Sequence, residues 1–480
     1  MEQATASRHR NVLLAPLVRR LVRGPERSAE ERPWTVFGRP LLRRLVLPVK
    51  QGADTGPVPA SSSLDSVDPD VARLIRVEAE RRASTIDLIA SESEPSSPIL
   101  EALGSVFAAK TAEGYPGRRY HRGTRYADEV EQLAIDRVKA LFGADHANVQ
   151  PSSGVNANLA VYRAILKPGD TVLALRLDHG GHLSHGDRAS ITGAVYRFEH
   201  YGVRRDTETI DLDEVRDLAR RHQPRLIVTG GSSYPRRIDY GAFGEIAREM
   251  GARLLVDMAH VAGLVAGGVL PGPMAHADAV TFTTYKTMLG PHGGVILTRA
   301  ELAKTIDRAI FPGTQGAPDF GRIAAKAVCF GIAATPQFRE TQAAIVANAH
   351  VLAGELASRG DRIVSGGTDN HMVLVDLRNR GLTGDIAEVA LEEVGILANR
   401  NVIPFEEGTP DRPSGLRLGT TAVSQQGMRE PETREIAELI DSTFRLAAGP
   451  NRSAVVTDVQ VRAEALARRF GPEHAADVGR

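Results

Sequence analysis

Cysteine, net charge and long apolar runs are what this sequence has least of, and each shortage excludes a class of protein. Cys329 is the only cysteine in 480 residues, so neither an intramolecular disulfide nor a cysteine-based zinc site can form. No run of about 18 apolar residues occurs, so we expect no bilayer-spanning segment. Basic and acidic residues number 59 each, which favours neither nucleic acid nor membrane as a partner. We therefore expect a cytoplasmic protein.

The two parts of the chain differ in composition. Overall, 42% hydrophobic and 25% charged residues are typical of a globular protein, and 480 residues allow two or three structural units. Roughly the first 60 residues are rich in arginine and end in a Gly/Pro/Ser-rich stretch at 52–63. Residues 11–22 could form a short basic amphipathic helix or belong to a disordered extension. We treat 1–64 as an Arg-rich, flexible extension and linker.

From residue 65 onwards, helical and strand-like segments alternate. A helix is predicted from Asp68 through Glu78 and Arg82, and further helices at 213–222 and 240–250. Short apolar runs predict buried strands at 171–175, 226–229, 254–257, 279–282 and 294–297. This alternation predicts an α/β fold whose mostly parallel sheet is flanked by helices.

The pattern restarts near residue 345 with a long helix, followed by a strand at 372–376. We therefore divide the chain into an N-terminal arm and large domain at 65–345, a smaller C-terminal α/β domain at 346–450, and a C-terminal tail at 451–480.

Two predicted strands end in residues that suit a cofactor. Ligands of open α/β sheets bind at the carboxyl ends of the strands, where Asp257 and Lys286 follow their strands. A desolvated lysine amine forms Schiff bases, and a carboxylate can pair with the protonated ring nitrogen of pyridoxal phosphate. Asp257 alone could equally cap a helix, and a single lysine usually lies on the surface. Together, they favour pyridoxal phosphate bound through Lys286.

This cofactor also needs a phosphate site, and two glycine-containing turns could supply it. Ser153 and Gly154 precede a predicted helix, whose first N–H groups can bind phosphate. Such a turn is more often only a helix cap. The second turn, at 311–316, ends in Gly316 and could come from a neighbouring subunit.

Arg417 is a candidate for binding the substrate. It lies among small residues at 414–419, which leaves room for a ligand. A guanidinium group binds an α-carboxylate through two parallel hydrogen bonds, which lysine cannot do. A structural salt bridge is the alternative.

Several motifs resemble those of the serine hydroxymethyltransferase family. They occur in the family's order and are IASE at 89–92, AEGYPG at 112–117, HGGHL at 179–183, VDMAH at 256–260 and SGGTDNH at 365–371. The resemblance covers roughly residues 65–450. It implies fold-type I of the pyridoxal-phosphate enzymes and a homodimer whose active sites are shared between subunits.

The resemblance implies a role for individual cofactor-site residues. Lys286 would carry the Schiff base, Asp257 would pair with the pyridine nitrogen, His182 would stack on the ring, and His260 would lie near its phenolic oxygen. The other expected cofactor-binding residues are Ser153, Gly154, Ser232 and Gly316.

The resemblance also implies residues for the reactants. Glu113 would be the acid–base carboxylate, while Ser91 and Arg417 would bind a small amino-acid substrate. The positions where the family holds tetrahydrofolate are Leu177, Gly181, His182, Leu183 and Asn401.

The chain departs from the family at site positions. Tyr285 replaces a histidine before the lysine, and Tyr120–His121 replaces a tyrosine pair, so Tyr285 and His121 join the catalytic candidates. Thr111 replaces a tyrosine that reaches the neighbouring subunit's phosphate. Asp178 replaces an alanine, and the loop at 410–413 is charged where the family has an apolar loop.

Three functions remain open. The first is interconversion of serine and glycine by cleavage of the Cα–Cβ bond, with tetrahydrofolate capturing formaldehyde. The second is a threonine aldolase or transaldolase that needs no folate. The third is a catalytically degenerate, regulatory homologue. Five retained residues argue against it: Lys286, Asp257, His182, Glu113 and Arg417. No metal site is predicted.

Overall fold

The structure is a computed structural model that describes residues 63–406, 411–448 and 453–471. By its contacts the chain divides into two units, Met1–Val67 and Asp68–Arg480. Of the smaller unit, helix α1 (Leu64–Val67) is described. The candidate helix at 11–22 lies outside the described residues, and the flexible extension at 1–64 stays a prediction.

The first helix of the larger unit begins where the sequence predicts it. Helix α2 (Pro69–Ser84) is capped by Asp68, whose side chain accepts a hydrogen bond from the backbone N–H of Val71 at 3.0 Å. A proline in the first turn has no N–H to leave unpaired, so it favours this start. The predicted helix is confirmed.

A seven-stranded sheet forms the centre of the larger unit. Its strands are β4 (His146–Asn148), β5 (Thr171–Leu175), β6 (Arg197–Tyr201), β7 (Leu226–Gly230), β8 (Arg253–Asp257), β9 (Ala279–Thr283) and β10 (Gly294–Thr298). They lie in the order β4-β10-β9-β8-β7-β5-β6, in which β9 through β6 are parallel and β10 is antiparallel to both neighbours. All the predicted strands of the large domain are confirmed here. The sequence analysis missed edge strand β6, since its partly exposed Arg197, Glu199 and His200 break the apolar pattern.

Helices cover this sheet, as expected for parallel strands that are buried on both faces. The main ones are α4 (Arg125–Phe142), α5 (Gly154–Ile165), α7 (Leu212–His222), α8 (Tyr240–Met250), α10 (Ala303–Ile310) and α11 (Phe320–Ala333). The predicted helices at 213–222 and 240–250 are confirmed as α7 and α8. Every residue of β7, β9 and β10 is buried.

Shorter elements connect these layers. They are strands β1 (Ile86–Asp87), β2 (Gly114–Tyr115) and β3 (Arg118–Arg119), and helices α3 (Ser97–Leu103), α6 (Ile191–Val195) and α9 (Ala262–Ala266). Three-residue and four-residue 3₁₀ turns occur at Val106–Ala109, Leu177–His179, Ala300–Leu302, Val364–Gly366 and Arg378–Arg380.

A second, four-stranded antiparallel sheet lies C-terminal to the first. Its strands are β11 (Arg362–Ile363), β12 (Met372–Asp376), β14 (Asn399–Asn401) and β15 (Gly415–Gly419), in the order β11-β12-β15-β14. Strand β13 (Ile396–Leu397) pairs in parallel with β1. The helices of this part are α12 (Pro336–Ser358), α13 (Gly384–Glu393), α14 (Thr421–Gln425), α15 (Glu430–Ala447) and α16 (Ser453–Phe470). The predicted strand at 372–376 is confirmed, and the predicted long helix is α12, which already begins at Pro336.

The C-terminal segment differs from the tail that the sequence analysis proposed. Helix α16 contributes Val459, Ala463, Leu466 and Ala467 to a buried cluster with Leu352, Val375, Leu418 and Phe444, which we call the C-terminal core. The four residues of α16 recur at helical spacing and therefore share one face. None of the helices in the described ranges is long and apolar enough to cross a bilayer.

We predict that Leu466→Ala lowers the free energy of unfolding of the C-terminal core by about 2–5 kcal/mol, because it leaves a cavity in a packed cluster. Leu466 is 4% exposed, whereas Val461 on the same helix is 61% exposed. Val461→Ala is therefore the matched control and should change stability by less than about 0.5 kcal/mol. Urea denaturation of both variants checks this, and equal midpoints would mean that α16 does not pack on the core.

Candidate active site

A pocket lies at the carboxyl ends of the central strands β7, β8 and β9 and at the start of helix α5. Its lining residues are Ser153, Gly154, Val155, Asn158, His182, His185, Gly230, Gly231, Ser232, Asp257, Ala259, His260, Thr283, Tyr285 and Lys286. The strand-end rule predicts a ligand at this position. The pocket brings together most of the cofactor-site residues expected from the sequence.

Lys286 follows β9 and is held in a tight turn. Its carbonyl accepts from the N–H of Leu289 at 2.9 Å, and the neighbouring Thr287 hydroxyl donates to the carbonyl of His260 at 2.9 Å. The lysine is only 7% exposed. Burial lowers the pKa of Lys286 to about 8, with Asp257 opposing the shift and Arg417 adding to it. Near pH 8, a substantial fraction of this amine is therefore uncharged and nucleophilic.

Asp257 ends β8 as a buried carboxylate with several donors. Its Oδ1 accepts from the N–H of Ala259 at 3.0 Å, and its Oδ2 accepts from Asn158 Nδ2 at 2.8 Å and from His185 Nε2 at 3.0 Å. Burial alone would raise the pKa of Asp257, but the hydrogen bonds from His185 and Asn158 oppose burial, and the pKa lies well below its usual range. Asp257 does not cap a helix, since α9 begins only after Val261.

The sequence analysis missed Asn158 and His185. Asn158 lies on the buried face of α5, where its Oδ1 accepts from the Thr281 hydroxyl at 2.6 Å. The available signals were an amide on an otherwise apolar helix face and a second histidine three residues after His182. Both signals are weak, because buried polar side chains are common wherever hydrogen bonds satisfy them.

Of the two predicted cofactor-site histidines, His260 is buried and His182 is half-buried. His182 Nδ1 lies 2.7 Å from the Ser184 hydroxyl, and burial lowers the pKa of His182 to about 4. His260 stacks on His371, with ring centroids 5.5 Å apart and Nδ1 of His260 3.4 Å from Nε2 of His371. Burial also lowers the pKa of His260 well below its usual range, so both rings are neutral at physiological pH. The sequence analysis did not predict His371.

The turn before α5 is both a helix cap and part of the pocket. The Ser153 side chain accepts from the N–H of Asn156 at 3.1 Å and caps α5. A Cβ atom at Gly154 would lie 2.7 Å from Thr283 Cγ2, which explains the glycine. Ser232 also lines the pocket, and its carbonyl accepts from Arg417 Nη1 at 2.6 Å.

Tyr285 lines the pocket next to Lys286, as the resemblance implies. Its ring stacks on His292, with centroids 3.9 Å apart and an interplanar angle of 17°. The Ser93 hydroxyl donates to the Tyr285 carbonyl at 2.8 Å. Tyr285, stacked on His292, therefore borders Lys286 at the position where the family has a histidine.

Arg417 lies on β15 without a carboxylate partner among the described residues. Its Nε donates to Asn399 Oδ1 at 3.2 Å, in addition to the bond from Nη1 to Ser232. Burial lowers the pKa of Arg417 to about 10. The salt-bridge alternative is thus not observed, and the guanidinium is desolvated and suited to binding an anion.

The segment just before Ser91 runs along the end of β15, the strand that carries Arg417. The N–H of Gly419 donates to the carbonyl of Leu88 at 2.7 Å. A Cβ atom at Gly419 would lie 2.3 Å from Ala90 Cα, so this close approach requires glycine. The Ala90 carbonyl accepts from His371 Nε2 at 3.1 Å.

Glu113, His121 and Gly316 form a second cluster. His121 Nδ1 accepts from the N–H of Glu113 at 3.2 Å, and a Cβ atom at Gly316 would lie 3.6 Å from Glu113 Oε1. These three residues do not line the pocket that holds Lys286 within one described chain. Thr111 is exposed.

The expected folate positions differ in exposure. Leu177 is 46% and Leu183 54% exposed, and Arg176 and Asp178, which flank Leu177 in the sequence, form an ion pair of 2.6 Å. Gly181 is buried, and Asn401 Nδ2 donates to the carbonyl of Val402 at 2.6 Å. Pro410 lies outside the described residues, while Arg412 Nε is 3.8 Å from Asp385 Oδ2.

Atoms of His182, His185 and Asp257 lie within 4.8 Å of one another, a spacing that could also serve a metal ion. Each of these side chains already makes hydrogen bonds. The short distances between these three side chains are therefore explained by their hydrogen bonds as well as by a metal site.

The sequence model of the serine hydroxymethyltransferase family matches residues 64–440. The chain therefore belongs to this family, as the motifs implied. It has fold-type I of the pyridoxal-phosphate enzymes, and the mostly parallel sheet agrees with that fold. Family membership supports a pyridoxal-phosphate-dependent enzyme of the hydroxymethyltransferase type.

We predict that Lys286 of the cofactor-free protein is acetylated by acetic anhydride with a midpoint near pH 8. Only the uncharged amine reacts, so labelling should be lost as the pH falls through the pKa. Mass spectrometry of the labelled peptide measures the midpoint, and Nα-acetyl-lysine, with a pKa of about 10.4, is the reference.

Asp257→Asn provides the matched variant for this measurement. The Asp257 charge raises the Lys286 pKa, so its removal should move the labelling midpoint to lower pH. A midpoint equal to that of the reference amine would contradict the burial argument.

Proposed function

We propose that this member of the serine hydroxymethyltransferase family interconverts serine and glycine by breaking and forming the Cα–Cβ bond. One observation carries the proposal. A buried amine whose pKa is about 8 and a buried, ionised carboxylate follow adjacent strands and line one pocket. A fold keeps two such desolvated groups only at a cost in stability, which function must justify.

The residues present fit pyridoxal phosphate. Lys286 would hold it covalently, Asp257 would keep the ring nitrogen protonated, and the start of α5 at Ser153 and Gly154 would bind its phosphate. His182, His260 and Ser232 would complete its surroundings. When bound, the cofactor supplies an aldehyde that captures amino groups and a pyridinium ring that accepts electrons from the bond that breaks.

Arg417 and Ser91 would orient the amino acid. The buried guanidinium would bind the α-carboxylate, because no acid among the described residues neutralises it. Gly419 and Ala90 bring the Ser91 segment against the same strand. The substrate would thus be held between the C-terminal sheet and Lys286.

We further propose that two copies of the chain share each site. Glu113 and His121 are the expected acid–base groups, yet they lie in a cluster separate from the Lys286 pocket within one described chain. A second copy could bring its Glu113, His121 and Gly316 to the pocket. Glu113 would then accept or return the proton of the substrate's β-hydroxyl group.

A folate-independent threonine aldolase or transaldolase is the second candidate function. The Arg176–Asp178 ion pair beside Leu177 and the Tyr285–His292 stack beside Lys286 favour it. The ion pair puts charge at a position where the family has an alanine. Tyr285 puts a phenol where the family has an imidazole. A phenol has a pKa of about 10 and stays neutral where an imidazole titrates.

A degenerate regulatory homologue is disfavoured by the same burial. Lys286, Asp257 and Arg417 are all desolvated, and apolar replacements would stabilise a chain that had no use for them. The buried free thiol of Cys329 suits a reducing cytoplasm, which we propose as the compartment.

Steady-state assays of serine and threonine on one preparation, each with and without tetrahydrofolate, test the function. We expect serine cleavage that tetrahydrofolate stimulates, together with folate-independent threonine cleavage of at least comparable rate. Negligible threonine cleavage would mean that the protein is a folate-dependent serine hydroxymethyltransferase and not a threonine aldolase. No turnover of either amino acid by the cofactor-loaded protein would contradict the proposed function.

We predict that Arg417→Lys weakens the binding of serine and glycine by about 2 kcal/mol or more, since the bidentate contact is lost in a buried setting. Titration calorimetry measures the affinity. Arg400→Lys on the adjacent strand β14 is the control, because Arg400 pairs with Glu388 at 2.7 Å. Unchanged affinity in Arg417→Lys would mean that this arginine has only a structural role.

A further inference from the structure

A buried chain of hydrogen bonds runs from helix α5 to Asp257. The Tyr162 hydroxyl lies 2.7 Å from His185 Nδ1, and His185 Nε2 lies 3.0 Å from Asp257 Oδ2. Tyr162 is fully buried, and His185 and Asp257 nearly so. Of these three residues, only Asp257 is among the functional residues expected from the sequence. Tyr162 and His185 have no assigned role.

The partners of His185 determine which of its nitrogens carries the proton. A carboxylate only accepts hydrogen bonds, so His185 Nε2 must donate to Asp257. If Nδ1 also carried a proton, the Tyr162 hydroxyl would have to accept it, and the phenolic hydrogen would then have no acceptor among the described residues. Leaving a buried donor unpaired is costly.

The alternative arrangement satisfies every hydrogen. Burial and the Asp257 charge raise the pKa of Tyr162 well above its usual range, so the phenol keeps its proton and can donate it to Nδ1. His185 is then a neutral imidazole protonated only at Nε2. Each link of the chain donates towards Asp257.

This chain also limits how Asp257 can bind a ligand. An ionised carboxylate has about four acceptor positions. Asn158 and His185 use two on Oδ2, and the N–H of Ala259 uses one on Oδ1. One position on Oδ1 is left for a donor in the pocket.

We propose that Tyr162 and His185 are positioning residues that keep Asp257 ionised and turned so that Oδ1 meets the ring N–H of the cofactor. The inference rests on the proposed role of Asp257. Tyr162 donates to His185 Nδ1 and keeps that nitrogen unprotonated, and His185 Nε2 holds the carboxylate in place. Neither residue needs to touch substrate or cofactor.

The first test uses cofactor-free protein labelled with ¹⁵N-histidine. A two-bond ¹H–¹⁵N spectrum distinguishes protonated from unprotonated ring nitrogens, and loss of signals in His185→Phe assigns His185 among the 14 histidines. We expect Nε2 protonated and Nδ1 unprotonated in the natural protein. Protonation of both nitrogens, or of Nδ1 alone, would overturn the proposal.

Tyr162→Phe and a matched control then test the tyrosine. Tyr201 is also fully buried, and its hydroxyl donates to the Val228 carbonyl at 3.0 Å, away from Asp257. Tyr162→Phe removes the donor to Nδ1 and should shift the Nδ1 resonance of His185, while Tyr201→Phe should leave the His185 spectrum unchanged. An unchanged His185 spectrum in folded Tyr162→Phe would contradict the proposal.

Cofactor affinity supplies an independent readout, and His185→Phe serves if Tyr162→Phe does not fold. Loss of one buried hydrogen bond should weaken pyridoxal-phosphate binding about threefold to tenfold in Tyr162→Phe and more in His185→Phe. Tyr201→Phe should change it less than about twofold. Equal affinities in all three variants would refute the positioning role.

Asp257→Asn separates this inference from the function on which it rests. If Asp257→Asn binds the cofactor as tightly as the natural protein, the proposed role of Asp257 fails, whatever the tautomer of His185. If only Asp257→Asn weakens binding, that role stands and the positioning role fails.

Discussion

The burial of two opposite charges at the ends of adjacent strands is the constraint on which the site depends. Asp257 and Lys286 follow β8 and β9, which are parallel neighbours. Because the low-polarity interior penalises both charges, each group must either bind partners that stabilise its charge or shift its pKa towards the neutral form. Asp257 receives three hydrogen bonds, whereas Lys286 moves its pKa to about 8. The carboxylate is thereby kept charged and the amine becomes reactive.

The C-terminal sheet and its flanking residues contact residues of the candidate site. Arg417 reaches from β15 to the Ser232 carbonyl, and His371, just before β12, bridges His260 and the Ala90 carbonyl. Through these contacts, the segment with Ser91, the proposed substrate clamp and the cofactor-site histidine lie in one hydrogen-bonded unit. A change of packing between the two sheets would move all three together.

Glu113 and His121 lie in a cluster separate from the Lys286 pocket within one described chain. One chain builds the binding half of the site on strand ends, while the expected acid–base half lies on the loop at 113–121, beside the turn that ends at Gly316. If two copies exchange these halves, activity depends on association. The departures at Tyr285, His121 and Asp178 would then fall on both halves.

The sequence by itself determined which reactive side chains follow which predicted strands: an acid follows one apolar run, a lysine follows the next, and a Ser-Gly turn precedes a helix. The family motifs then implied a role for each of these residues. It also predicted the central strands, because buried parallel strands are continuous apolar runs. Edge strand β6 and helix α16 escaped, since a half-exposed strand and a terminal amphipathic helix have weaker patterns. Only the tertiary structure decided that Asn158, His185, Tyr162 and His371 join the site. They come from a helix face, a loop and the residue before a distant strand, and hydrogen bonds between residues far apart in sequence leave no periodic signal.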